Sequence, residues 1–362
     1  MSNFDLTNLA VQMICPNNLV KTDVFDLPSV LVYIPAFKNS DVLVNGDDNL
    51  HPAFIVNGEQ IPGFYYSKYQ NVMNDGVAYS LPGKLPRIYY GFDTATAACE
   101  AKGAGWHLST AAEWAAIALW CKKNGFLPHG NNDNGKDINE TIYKAIPKNR
   151  NLAGDTTYVA TGTGPLEWSH DKTMAGIWDM NGNASEILGG VRLVWGELQI
   201  LANNDAADSN NPQTEKSACW KAINAADGSL VEPEDWPDSA ELKSSGNTVR
   251  IDHRFSTWYY STNIENFTTA NRGTRFGELT CDDTISAAAK AVLRALALLP
   301  DEDDTANQQG VTMNNSCGLM YITRGGLYND NTNAGLNEIR LVDGFGTENF
   351  CFRCSYIPEL DT

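Results

Sequence analysis

The stretch Thr110-Ala-Ala-Glu113 constrains this chain more than any other. A Thr hydroxyl and a Glu carboxylate at that spacing satisfy free amides of a first helical turn, as a capping box does. Trp114, Ile117, Ala118 and Cys121 follow at i, i+3, i+4 and i+7 and form one apolar stripe. Lys122 and Lys123 sit at the negative end, and Gly125 provides the stop. A helix with such a stripe must be covered, and the segments further upstream, residues 29–69, are not helical.

Those segments read as strands. Val30-Leu-Val-Tyr-Ile34 is a continuous apolar run closed by Pro35. Phe54-Ile-Val56, Asn57-Gly58 and Glu59-Gln-Ile61 predict a hairpin, because Asn-Gly accepts the positive φ angles of a type I′ turn. Gly63 to Tyr69 continues as strand. A second helix is expected from Ala95 to Lys102, capped by Asp93 or Thr94 and stopped by Gly103, and a third from about Thr284 to Leu299 before Pro300. The pattern predicts an α+β protein with mixed sheets, two or three helices and long loops. Residues 1–27 have no clear period and read as an N-terminal arm. Residues 200–280, rich in turns and carrying Trp220, Trp236, Trp258, Tyr259 and Tyr260, read as an insertion.

Charge narrows the partners. Forty-four acidic and 26 basic residues give a net −18, so the chain has no excess cation to displace the counterions of nucleic acid or anionic lipid. No apolar run approaches the roughly 18 residues of a membrane span. The start lacks a basic segment followed by an apolar one, so no secretory signal is expected. Of the eight cysteines only Cys351-Phe-Arg-Cys354 has a redox-like or metal-like spacing. It lies in a strand-like run, where residues three apart face opposite ways, and no second ligand pair accompanies it. The five histidines form no metal-protease motif and pair with no nucleophile elbow, and Thr161-Gly-Thr-Gly-Pro165 reads as a turn rather than a phosphate cradle. Asp301-Glu-Asp-Asp304 reads as a solvated acidic loop.

Three segments remain: Gly105 to Trp114 with the capped helix start, Gly176-Ile-Trp-Asp-Met-Asn-Gly-Asn-Ala-Ser-Glu186, and Arg324-Gly-Gly followed by Phe352-Arg353. In this order they resemble the formylglycine-generating-enzyme branch of the C-type lectin fold, over roughly residues 28–357. The resemblance implies one domain, 28–362, of that fold. The enzymes of the branch carry a reactive cysteine pair soon after Arg-Gly-Gly. Leu327 to Gly335 contains none here, so an oxidase is the alternative reading rather than the first. Ala295 to Pro300, the acidic linker, Arg-Gly-Gly, the Asn-rich stretch, Ala334-Gly335 and Phe352-Arg353 are similar to the variable proteins of diversity-generating retroelements. That resemblance implies a non-catalytic binder whose segment 324–353 is diversified by adenine-directed mutagenesis, often of AAC codons.

Leu327, Asn329, Asp330, Thr332, Asn333, Arg340, Val342, Asp343, Phe345, Thr347 and Asn349 are residue types reachable from AAC and form the expected ligand-binding set. Glu338 and Glu348 are not reachable. Isolated apolar groups among Asn, Thr and Asp also suit an adaptable binding surface. Trp258 and Tyr259 are expected to support it. Arg324 and Arg353 are read as anchors beneath the loops, and Gly325-Gly326 as a site of close backbone packing. The implied partner is a protein or glycan receptor on a cell surface, with no nucleic acid and no membrane insertion. The implied location is a phage tail tip, or a bacterial cytoplasm or surface. No cofactor is required, calcium is compatible with the fold, and so is a homo-oligomer. A structural virion protein is a further alternative.

Overall fold

The computed structural model describes residues 3–125, 127–239, 242–345 and 349–360. Among the described residues, two large sheets, two two-stranded sheets and five α-helices make an α+β architecture: α1 (Asn3–Ile14), α2 (Asn39–Val42), α3 (Phe92–Glu100), α4 (Ala111–Lys123) and α5 (Ala287–Ala295). The smaller sheet is antiparallel. It runs Asn18–Thr22, Pro28–Pro35, Gly63–Ser67, Cys354–Tyr356, Trp106–Leu108, so both ends of the chain meet in it. The larger sheet has twelve described strands. Its path includes Arg272–Arg275, Gly310–Met313, Gly335–Val342, Met320–Gly325, Ser185–Val194, Glu197–Ile200, Ser245–Arg254 and Thr257–Asn263.

α4 lies at the centre of the core. Its capping box forms as expected, with Thr110 Oγ1 accepting the Glu113 amide and Glu113 Oε2 accepting the Thr110 amide. Trp114 is fully buried and donates from Nε1 to the Leu336 carbonyl (2.7 Å), tying the helix to the larger sheet. The Asn57-Gly58 hairpin also forms, with φ of 52° and 81°.

Several expected boundaries shift. α3 begins at Phe92 with Gly91 as its cap, because the Thr94 hydroxyl donates back to the Gly91 carbonyl instead of capping a later turn. The third helix is only Ala287–Ala295. Ser286 caps it, and beyond Leu296 the chain turns at Ala297, whose φ is 48°. The carbonyls of Leu296 and Ala297 then bond to Arg324 Nη2 (3.3 and 2.8 Å) rather than continuing a helix. The first 27 residues form α1 and the Asn18–Thr22 strand. No inward period marks α1, because Leu6, Leu9, Met13 and Ile14 face outward. Residues 200–280 contribute paired strands to the larger sheet, including Ser245–Arg254 with Thr257–Asn263. The acidic run is pinned, since Lys122 bonds both Asp301 and Asp303.

Candidate binding surface

The Arg324-Gly-Gly segment ends the Met320–Gly325 strand and opens a loop that returns into Gly335–Val342. Arg324 is fully buried. Besides the two α5 carbonyls it reaches the Glu338 carbonyl at 3.5 Å, so one guanidinium joins the helix end to the next strand. Gly325 and Gly326 have φ of 91° and 78°, which side chains rarely adopt. A Cβ on Gly326 would also lie 2.7 Å from the Ala334 Cα. Arg353 is buried too, bonded to both Glu186 oxygens and to the Trp178 and Ser67 carbonyls. Both arginines therefore hold the frame below the loop.

The loop backbone is fixed from below. The Gly182 amide donates to the Gly325 carbonyl (2.8 Å), the Asn331 amide to the Asn132 carbonyl (2.8 Å) and the Asn134 amide to the Tyr328 carbonyl (2.7 Å). Asp330 Oδ2 accepts the Leu327 amide (2.8 Å) and Arg340 Nη2 (2.8 Å), closing the loop on itself and on the sheet. Asn131, Asn132, Asn181 and Asn183 form a buried network beneath it. Asn183 Oδ1 accepts from Asn131 and from the Val159 amide, and Asn132 donates to Asn181. The side chains of Asn329, Asn331, Thr332 and Asn333 remain exposed on this rigid base.

Two depressions flank the loop. One, of about 440 Å³, is lined by Asp330, Asn333, Glu338 and Arg340 and by Thr274, Arg275, Glu278 and Ser256 across from them. The other, of about 470 Å³, is lined by Asn331 and Thr332 together with His129, Asn132, Asp137 and Asn181. Glu338, 2% exposed, lines the first, and its Oε2 has no hydrogen-bond partner among the described residues. Burial pushes its carboxyl up to about 7, with Asp330 adding to the rise and Arg340 and Arg324 opposing it.

The expected residues do not form one patch. Asn329, Thr332 and Asn333 project, whereas Asp330 and Arg340 shape the loop and line its depression. Leu327, 8% exposed, lies beneath the loop. Val342, Asp343 and Phe345 sit at the far end of the Gly335–Val342 strand. Val342 pairs with Tyr321 while Gly335 pairs with Gly325, so the two ends are roughly 24 Å apart at 3.4 Å per residue. There the Phe92 amide of α3 donates to the Gly344 carbonyl, and Phe345 is 76% exposed. Asn349 returns toward the first group: its carbonyl accepts the Ser185 amide, and its side chain contacts Tyr158, whose ring packs on Tyr328. Thr347 lies outside the described residues. Trp258 does not support the surface. It is fully buried with Nε1 donating to the Arg272 carbonyl, because its strand position faces the core; Tyr259, its neighbour, is half-buried.

Sequence reasoning missed Asn331, Arg275 and Glu278. Asn331 carried the same Asn-rich signal as its neighbours; the other two reach the site only through the sheet order. Cys351 and Cys354 fall in different sheets. Both thiols are fully buried. Burial holds the Cys351 thiol well above its usual range, and it donates to the Ala184 carbonyl, while Cys354 Sγ accepts from Asn71. Among the described residues no group of three or more His, Cys, Asp or Glu is placed to hold a metal ion, and no helix is long and apolar enough to cross a membrane. No family model matches the chain, and no curated protein matches it.

Proposed function

We propose that this protein is a non-catalytic receptor binder with the C-type lectin fold of the formylglycine-generating-enzyme branch. Its loop at 327–333 presents side chains diversified in the manner of retroelement variable proteins. One observation carries the reading: the backbone of this loop is bonded to the frame at every few residues, while Asn329, Thr332 and Asn333 point outward between two depressions. Such a loop exchanges side chains without exchanging its shape, which is what a diversified contact surface requires. Binding of a protein or glycan receptor on a bacterial surface, from a phage tail tip, is the role that fits. The buried, protonated Cys351 weighs against the oxidase alternative, because the thiolate is the reactive form.

The test compares the unchanged protein with the triple variant Asn329→Ala, Thr332→Ala, Asn333→Ala for binding to a panel of intact bacterial strains. Binding by the unchanged protein to at least one strain, lost in the triple variant at equal thermal midpoint, is the expected result. Equal binding by both proteins sinks the proposal.

A further inference from the structure

The hairpin between Ser245–Arg254 and Thr257–Asn263 turns through only two residues, Phe255 and Ser256, since Arg254 pairs with Thr257. Both central residues have positive φ, 50° and 67°. That is the type I′ geometry, which Asn-Gly adopts readily and a bulky side chain adopts at a cost. Phe255 is also 95% exposed, so no packing in this chain offsets the strain. A strained turn that holds an aromatic ring in solvent has no use in the fold itself.

Its position gives it one. Phe255 lines a depression of about 420 Å³ with Arg254, Glu265 and Arg272, and Ser256 lines the depression shared by Asp330, Asn333 and Arg340. The turn is therefore a ridge between two hollows, as the 329–333 loop is on the far side of the second hollow. It is also held firmly. Thr257 Oγ1 lies 3.0 Å from Thr274 Oγ1, and Trp258 Nε1 donates to the Arg272 carbonyl (2.9 Å), locking the hairpin to the Arg272–Arg275 strand.

We infer that Phe255 is a fixed aromatic anchor of the binding surface and inserts into an apolar recess of a protein partner. This inference rests on the binding role proposed above. Rigid exposed aromatics dominate interface energetics because they bury large area with little loss of conformational freedom. The charges around the ridge select the class of partner. Arg254, Arg272, Arg275 and Arg340 alternate with Glu265, Glu278 and Asp330, and a surface of both signs is matched by a protein of complementary mixed charge. Arg254 pairs with Glu265 and Arg340 with Asp330 within the chain, so these charges form a polar rim around the exposed ring, the arrangement of a protein–protein contact.

The strain supplies a test that separates contact from packing. The double variant Phe255→Asn, Ser256→Gly installs the favoured turn, and Phe255→Tyr keeps an aromatic ring. Both are compared with the unchanged protein and with the 329/332/333 triple variant, by thermal unfolding and by binding to the same intact bacterial strains before and after protease treatment of the cells. The double variant is expected to melt several degrees higher and to bind at least tenfold more weakly. Phe255→Tyr is expected to retain binding, and protease treatment of the cells to abolish it. Unchanged binding in the double variant, while the triple variant fails, overturns the anchor and leaves the binding role standing. A lowered melting point assigns Phe255 to the fold and overturns the anchor. Binding that survives protease points to a glycan and overturns the assigned partner. No binding by the unchanged protein, or none lost in any variant, overturns both.

Discussion

Arg353 and Glu186 form a two-point ion pair in the interior, with Nε 2.7 Å from Oε2 and Nη2 2.9 Å from Oε1. Glu186 lies on the Ser185–Val194 strand of the larger sheet, and Arg353 stands just before the Cys354–Tyr356 strand of the smaller one. The pair thus clamps the two sheets together below the candidate surface. Removing one partner leaves the other buried and uncompensated, at a cost of about 3–5 kcal/mol. Arg353→Met and Glu186→Gln should each lose stability on that scale in denaturant unfolding. A loss below about 1 kcal/mol in both would contradict the clamp.

The loop separates display from shape. The Asn329/Thr332/Asn333 alanine triple should move the thermal midpoint by no more than about 2 °C, as exposed substitutions do. Gly326→Ala should lower it by several degrees, because it adds a Cβ against Ala334 at a φ of 78°. Comparable losses in the two proteins would mean the exposed side chains are structural.

Glu338 predicts the sign of a pH effect. Its carboxyl is raised from 4.5 to about 7 by burial. The protonated form is the one the fold prefers, so this stabilising contribution is fully present below pH 4.5 and is lost as pH rises through about 7. Arg340, Asp330 and Arg324 face the group and are unchanged in Glu338→Gln. Relative to the unchanged protein, Glu338→Gln should therefore gain stability between pH 5 and pH 8, read as the difference of unfolding midpoints. A difference that is flat or of opposite slope would show Glu338 ionised throughout.

Cys351 and Cys354 should resist an aromatic disulfide reagent in the native protein at pH 8 and react once it is unfolded, since neither has accessible surface. Rapid native labelling at either position, mapped by peptide mass, would revive the oxidase alternative.

Much of the frame was legible in the sequence because local chemistry specified it. Thr110 and Glu113 cap α4, Asn57-Gly58 turns its hairpin, and Arg324 and Arg353 find carbonyls and a carboxylate. What was not legible depends on contacts distant in sequence. Arg324 captures the Leu296 and Ala297 carbonyls and so ends α5 early, which no residue within the helix announces. The turn-rich look of 200–280 concealed sheet strands because their partners, such as Glu197–Ile200 for Lys221–Ile223, lie elsewhere in the chain. At the site, residue type picked out Asn329, Thr332 and Asn333. It could not separate them from buried Leu327 or from Val342 and Phe345, because reachability from one codon says nothing of which end of a strand a residue occupies.

The central claim is that the loop's side chains are diversified for binding, and the DNA flanking the gene tests it most directly. The account predicts an imperfect second copy of the segment encoding Arg324 to Arg353 beside a reverse transcriptase gene. The copy should carry adenines at the codons for Asn329, Thr332 and Asn333, and none that alter Arg324, Gly325, Gly326 or Arg353. Absence of any copy, or a copy whose adenines fall on the codons of those four frame residues, would contradict it.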